Sequence, residues 1–501
     1  MSITIPPFGS HVIKLRFSPT AEGKRTGALT FTSNTASSPH TVNLIGYGKK
    51  DHSTPPDPPG DISWLKTQGR LLIDEKGAEV RLRSCNWYGG ESILLPAGLW
   101  SKPYRTITVG GVEQEGILDT IARIGFNSVR LPICQDVTWP GRKPNTTATG
   151  WDSTYVRADL NPDLLPGPNP AVQPQPVLTA IEIYDKIIAH CKLLKLRVIL
   201  DMHCLAPNDD NVAGAGGKWF TTTTPTSPGA TAGLRGEPRN EAQMLAAWTF
   251  LAERYKNEPT VCGFDLVNEP FNCDWNDTAL KGVAAFYERC GAAIQAINPK
   301  LLIICEGVAG NVTVAPGKTY GAWWAGKLDN VRARPLVMPV PNQVVYSPHE
   351  YGSFLNGTSQ AWFTQPDYPN NMNEFWKGMW GYLAEENIAP VWVGEFGSTM
   401  KAKGVYTQHF ADLDAQWLDK MSQYFETNKI NFAYWSINPP GEPDGILSMS
   451  QTGQWGAPLQ YKVDALQPFL KPGSVVPNEK ALRDTNNEIL LDSTGSALES
   501  Y

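Results

Sequence analysis

Between residues 61 and 472 two hydrophobic rhythms take turns along the chain. Short apolar runs end near Asn86 (VRLRSCN), Arg130 (FNSVR), His203 (LRVILDMH), Glu269 (VCGFDLVNE), Glu306 (LLIICE), His349 (QVVYSPH), Glu395 (APVWVGE) and Trp435 (NFAYW). Such runs, short and nearly all apolar, suit strands buried on both faces. Between them lie segments with helical spacing, such as LTAIEIYDKIIAHCKLLK, EAQMLAAWTFLAERYK and ALKGVAAFYERCGAAIQAI. Eight strand-like runs separated by helices predict an α/β fold, a parallel (β/α)8 TIM barrel. The size agrees, since such barrels span about 200 to more than 400 residues. An open doubly wound sheet is the rival. It usually places a GxGxxG loop after its first strand, whereas here that strand runs into SCNWYGGES.

The flanks have other textures. Residues 1–48 alternate apolar and polar positions in HVIKLRFSP, GALTFTSN and HTVNLIGYG, broken by Gly, Asn and Ser. That pattern predicts three or four short antiparallel strands, a partial β-sandwich. FSPTAEGKRTGALTFTSN and SPHTVNLIGYG resemble the C-terminal half of Ig-like modules of the ASPM–SPD-2–Hydin group, which implies a spacer or docking role. Residues 49–60, KKDHSTPPDPPG, read as a Pro-rich, semi-rigid linker. Residues 473–501 are polar and aperiodic and read as a loose tail.

Charge and composition narrow the function classes. A formal net charge of -6 argues against nucleic acid or an anionic membrane as partner, since both reward clustered Lys and Arg. No apolar run is long enough to span a membrane. The opening MSITIPPFGS has no basic n-region or apolar core of a signal peptide, and reads as a start within a longer chain. The eight cysteines are scattered without a CxxC pair, which disfavours a zinc site and predicts buried thiols. Seventeen tryptophans in 501 residues favour a carbohydrate partner, because aromatic faces stack on sugar rings.

The chemistry sits at the strand ends. A barrel opens its active site at the C-terminal ends of its strands. Asn86, Arg130, His203, Asn268, Glu269, His349, Tyr351, Glu395 and Trp435 are therefore expected around one cleft. Glu269 and Glu395 stand 126 residues apart, on the fourth and seventh runs, nearly across the barrel. A lone glutamate there could be a salt-bridge partner to a barrel Arg or Lys. Two facing carboxyls are what glycosidic cleavage needs, one to protonate the leaving oxygen and one to attack the anomeric carbon or activate water. Arg130 and Tyr351 would hold Glu395 ionised, and its charge would raise the pKa of Glu269. Asn268 could bind a sugar 2-hydroxyl, and Trp435 could floor the reacting subsite. Trp87, Trp219, Trp323 and Trp324 are candidate sugar platforms or core residues. His203 and His349 invite a metal reading, but no HExxH or short ligand pair exists, so neither metal nor other cofactor is expected. No GxSxG elbow is present either.

In combination CNWYGGES, FNSVRLPI, LRVILDMH, PTVCGFDLVNEP, VVYSPHEYG, APVWVGEFGS and NFAYWSINP resemble glycoside hydrolase family 5. LLIICEGV, WWAGKL, MPVPNQVVYSPHEY and NNMNEFW resemble its bacterial endo-1,4-β-glucanase (cellulase) branch. The resemblance implies a retaining, metal-independent hydrolase with Glu269 as acid/base and Glu395 as nucleophile. Arg130, His203, Asn268, His349, Tyr351 and Trp435 would match the family's other site residues. The expected substrate is a β-glucan polysaccharide or oligosaccharide, which implies a secreted enzyme, expected to be a monomer. Two loops depart from the branch, 137–177 and CLAPNDDNVAGAGGKWFTT, and Ile437 replaces a second aromatic after the eighth run. β-Mannanase, xyloglucanase and exo-β-glucosidase stay open on the same barrel. A non-catalytic glycan-binding barrel or an adhesion factor are the alternatives of another class.

Overall fold

A computed structural model describes residues 23–31, 40–48, 62–144, 156–157, 159–164, 178–205, 241–270, 273–276, 282–355, 360–399, 408–439, 444–451 and 453–470. The chain divides into two units, residues 1–61 and 62–501. In the first, Gly23–Phe31 and His40–Gly48 pair antiparallel, with Gly23 opposite Gly48 and Phe31 opposite His40. The strand expected in HVIKLRFSP lies outside the described residues.

The second unit is a closed parallel barrel. Its strands are β1 (Arg83–Asn86), β2 (Ser128–Cys134), β3 (Arg197–Cys204), β4 (Val261–Asp265), β5 (Leu302–Glu306), β6 (Val344–Ser347, resumed as His349–Tyr351), β7 (Trp392–Gly397) and β8 (Asn431–Tyr434). Each pairs in parallel with its sequence neighbours, and β8 returns to β1. Pro348 interrupts β6, having no N–H to give to the ladder. The first half of β6 pairs with β5 and the second half with β7, which closes the ring. The eight expected runs are these eight strands.

Two separate apolar clusters explain why every strand is apolar on both faces. Ile199, Cys262, Leu302, Ile304, Val345, Trp392 and Ala433 pack together with Leu65, Leu72 and Leu82. These strand residues fill the barrel interior, and the short antiparallel sheet Leu65–Gln68, Leu71–Asp74, Glu79–Val80 supplies Leu65 and Leu72 as its plug. The larger cluster joins the outward strand residues to the helices. Those helices include α1 (Ile117–Ile124), α2 (Ala180–Leu194), α3 (Glu241–Arg254), α4 (Val283–Gln295), α5 (Met372–Trp376), α6 (Gln408–Asn428) and α7 (Gln460–Leu470). Local chemistry sets their ends: Thr179 and Glu182 form a reciprocal capping box at the start of α2.

One crossover has an unexpected form. After β5 comes an antiparallel hairpin, Val308–Ala315 with Lys318–Lys327, before a single turn at Asp329–Arg332. The sequence NVTVAPGKTYGAWW carries the period-two alternation and the Pro-Gly turn that such a hairpin needs. All eight cysteines are buried free thiols. Among the described residues no helix is long and apolar enough to cross a membrane.

Candidate active site

Strand register brings the polar ends to one level. Asn86 on β1 lies opposite Arg130 on β2, and His349 on β6 lies opposite Glu395 on β7. Arg130 is fully buried and every part of its guanidinium is engaged. Nε donates to Asp265 at 3.0 Å, and Nη1 donates to Glu395 at 2.7 Å and Asn86 at 3.2 Å. Nη2 donates to Asn268 at 2.9 Å and lies 3.1 Å from Asp201 and 3.2 Å from Glu306. A guanidinium suits this place because it offers five donors in a rigid fork and stays charged when buried.

Glu395 is held as a carboxylate. Its Oε1 accepts from Arg130, and its Oε2 accepts from the Tyr351 hydroxyl at 2.5 Å. Burial pushes its pKa up, but His349, Arg130, His203 and the Tyr351 bond overcome that and hold it at about 2. Glu269 experiences the reverse. Burial leads in raising its pKa, and the Glu395 charge adds to it, against a 2.9 Å hydrogen bond from His349 Nδ1. Its side chain keeps 19% exposure, so it reaches the cleft. One carboxylate oxygen of each glutamate and one ring nitrogen of His349 lie within 4.8 Å of one another.

His203 donates or accepts at Asp201 across 2.7 Å, and burial is outweighed by Asp201, Glu395 and Glu91, which raise its pKa to about 9. The ring stacks 5.7 Å from Trp435, whose other neighbour is Tyr88 at 5.1 Å. Asn268 lies against Arg130 and, at 3.3 Å, against His203. Trp323 on the β5–β6 hairpin meets Tyr351 edge-on at 6.2 Å, and its neighbour Trp324 is 47% exposed.

Several expectations need correction. Trp87 is fully buried and its indole donates to Ala97 O at 3.0 Å, so it is core rather than a sugar platform. Asn86 and Arg130 lie beneath the carboxyl pair, fully buried, and are not surfaces a substrate can touch. The Asn86 amide instead donates to Gly394 O at 3.1 Å. Ile437 is buried and its N–H donates to Asn86 O, so its side chain packs in the core and offers the cleft no surface. Trp219 and most of the two long loops lie outside the described residues. Asp201, Asp265 and Glu306 received no role from the sequence pattern. Their signal was there: acids inside the apolar runs LRVILDMH, CGFDLVNE and LLIICE require a buried cation, which is Arg130.

Among the described residues two groups of side chains have metal-compatible spacing: Glu269, His349 and Glu395, and separately Asp201, Asp265 and Glu306. In the second group the Arg130 guanidinium occupies the centre. In the first, Glu395 already accepts from Arg130 and Tyr351, and neighbouring acids led by Glu306 raise the pKa of His349 against its burial.

A family model for cellulase, glycosyl hydrolase family 5, matches residues 73–441. The chain belongs to glycosyl hydrolase family 5. It is therefore a glycoside hydrolase, and the barrel is its family's fold. An endoglucanase of Paenibacillus polymyxa is 33% identical over 417 residues, covering 82% of this chain and 87% of that protein. The catalytic domain of the major endoglucanase of Xanthomonas campestris pv. campestris superposes with a TM-score of 0.62 at 28% identity, over 81% of this chain and 99% of that one. A cellotetraose complex of a substituted endocellulase from Pyrococcus horikoshii gives 0.64 at 26% identity, over 82% and 99%.

Proposed function

We propose that this family 5 hydrolase is a retaining endo-β-1,4-glucanase, with Glu395 as nucleophile and Glu269 as acid/base. The observation that carries the reading is the carboxyl pair: oxygens within 4.8 Å, one pKa depressed to about 2 and the other raised. Retaining enzymes set their carboxyls about 5–5.5 Å apart, whereas inverting ones leave about 6.5–9.5 Å for a water. Glu269 gives its proton to the leaving oxygen while Glu395 attacks the anomeric carbon. With its proton gone, Glu269 then takes one from water, which displaces Glu395 and restores both groups.

The relatives are named endoglucanases, and one is described with cellotetraose, which supports cellulose or a related β-glucan as substrate. Trp435, stacked with His203 and Tyr88, would floor the reacting sugar, and Trp324 would extend the platform. A polymer of that kind is met outside the cell, so the enzyme is read as secreted. Residues 1–48 are read as a spacer or docking module joined by the 49–60 linker, with 61–472 catalytic and 473–501 a tail.

Glu395→Ala should abolish turnover, and azide should restore part of it as the α-glycosyl azide. An unrescued variant that keeps its activity would end the nucleophile assignment. Reducing ends should appear faster from cello-oligosaccharides than from manno- or xylo-oligosaccharides. Faster release from either of the others would move the substrate class.

A further inference from the structure

Glu269 has a backbone φ of +43°, in the left-handed region that residues other than glycine seldom occupy. Pro270 follows it and restricts its backbone further. A strained conformation of this kind persists only where surrounding contacts enforce it. Glu306 supplies that contact. Glu306, fully buried at the end of β5, accepts the Glu269 main-chain N–H on Oε2 at 2.6 Å. Its Oε1 lies 3.2 Å from Nε2 of His349, the ring whose Nδ1 holds the Glu269 carboxyl. The same Oε1 lies 3.2 Å from Nη2 of Arg130, the guanidinium that binds Glu395.

We propose that Glu306 is a positioning residue that orients the acid/base, Glu269, from behind the cleft. One carboxylate accepts from the main chain of Glu269 and from the guanidinium behind Glu395, and stands at ion-pair distance from the imidazole behind the acid. Its work differs from that of Asp201 and Asp265. Those acids meet Arg130, but neither has a hydrogen bond to the Glu269 backbone among the described residues. The inference rests on the reading of Glu269 as the acid, and it adds the group that orients that acid.

Two variants and two substrates test it. Glu306→Leu removes the acceptor and the charge. Glu306→Gln keeps an oxygen for the Glu269 N–H but loses the charge and puts an amide NH2 in place of the oxygen that faces Arg130 and His349. Each is assayed on cellotetraose and on 2,4-dinitrophenyl β-cellobioside, whose leaving group needs no proton. General acid catalysis contributes about 100- to 10,000-fold. Glu306→Leu should therefore lower kcat on cellotetraose by about 100-fold or more, with KM within about threefold. Its loss of kcat/KM on the aryl glycoside, which reads the first displacement and not the base-assisted second, should be at least about tenfold smaller than on cellotetraose, and Glu306→Gln should recover part of the deficit. Equal loss on both substrates, a loss carried by KM, or unimpaired turnover in Glu306→Leu overturns the proposal. Glu269→Gln is run beside them. If it spares the aryl glycoside and Glu306→Leu does not, only the positioning role falls. If Glu269→Gln loses both equally, the acid assignment falls first and takes this inference with it.

Discussion

The Tyr351 hydroxyl shows how much one atom decides at this site. It supplies a hydrogen bond to the ionised form of Glu395, and such bonds lower a carboxyl pKa. In Tyr351→Phe the carboxylate loses that donor, so its pKa rises. As the proposed nucleophile Glu395 must be ionised to attack, so the acid limb of kcat/KM should move to higher pH. Turnover should fall by about 10- to 100-fold, as expected for loss of a hydrogen bond to a charged group plus some misalignment. A pH–rate profile checks it, and an unmoved acid limb would mean that Arg130 and His349 set the ionisation without the tyrosine. The candidate residues named from sequence divide at this scale. Glu269, Glu395, His349 and Tyr351 meet at one point, whereas Asn86 and Arg130 lie beneath it. Strand-end position could not separate these two layers, because inward residues on successive levels share the same period of two.

At the scale of an element, β7 shows why a glycine precedes Glu395. A Cβ on Gly394 would stand 2.7 Å from Ser347 Oγ and 3.0 Å from Nε2 of His349, both on the neighbouring β6. Both neighbours are fully buried, and His349 is held between the Glu269 and Glu395 carboxyls. Gly394→Ala should destabilise the barrel by about 1–3 kcal/mol, the usual cost of overpacking. It should also lower kcat by tilting the ring that holds Glu269. Urea unfolding and a kcat measurement check it together; a stable variant with normal turnover would show that β6 can move. Element order and type were written in the apolar runs and their helical spacers. The β5–β6 hairpin was not read from them. Its alternation resembles that of the N-terminal strands, but nothing local says that two strands may stand outside the barrel wall as a cleft rim.

For the whole molecule, the notable quantity is the response of stability to pH. Glu350, between His349 and Tyr351 on β6, is buried with Oε1 accepting from the Trp380 indole at 2.8 Å. Burial raises its pKa from 4.5 to about 8. The folded protein therefore keeps a proton that the unfolded chain releases above about 4.5, and stability falls as pH rises towards 8. His203 acts in the same direction, with stability present below its ordinary value of 6.5 and lost as pH rises through about 9. Glu395 acts at the other end, its share being lost as pH falls from 4.5 through about 2. Stability should thus peak in mildly acid solution. Glu350→Gln keeps an acceptor for Trp380 and removes the titration. Its unfolding free energy should lose less than the parent's between pH 4.5 and 8. Parallel curves for the two proteins would assign the slope to other groups.

The chain's local patterning determined the class of fold, the number of barrel strands and the identity of the two facing glutamates. Apolar period and strand-end polarity are properties of neighbours in sequence, and they survive without coordinates. What only tertiary structure decided is the sharing of charge. Arg130, Asp201, Asp265 and Glu306 come from four strands that are up to 176 residues apart, and their partnership exists only once the ring closes. The same closure gives two chemically identical carboxyls opposite ionisation preferences, because burial and the positions of surrounding charges are set by the folded environment and not by the residue itself.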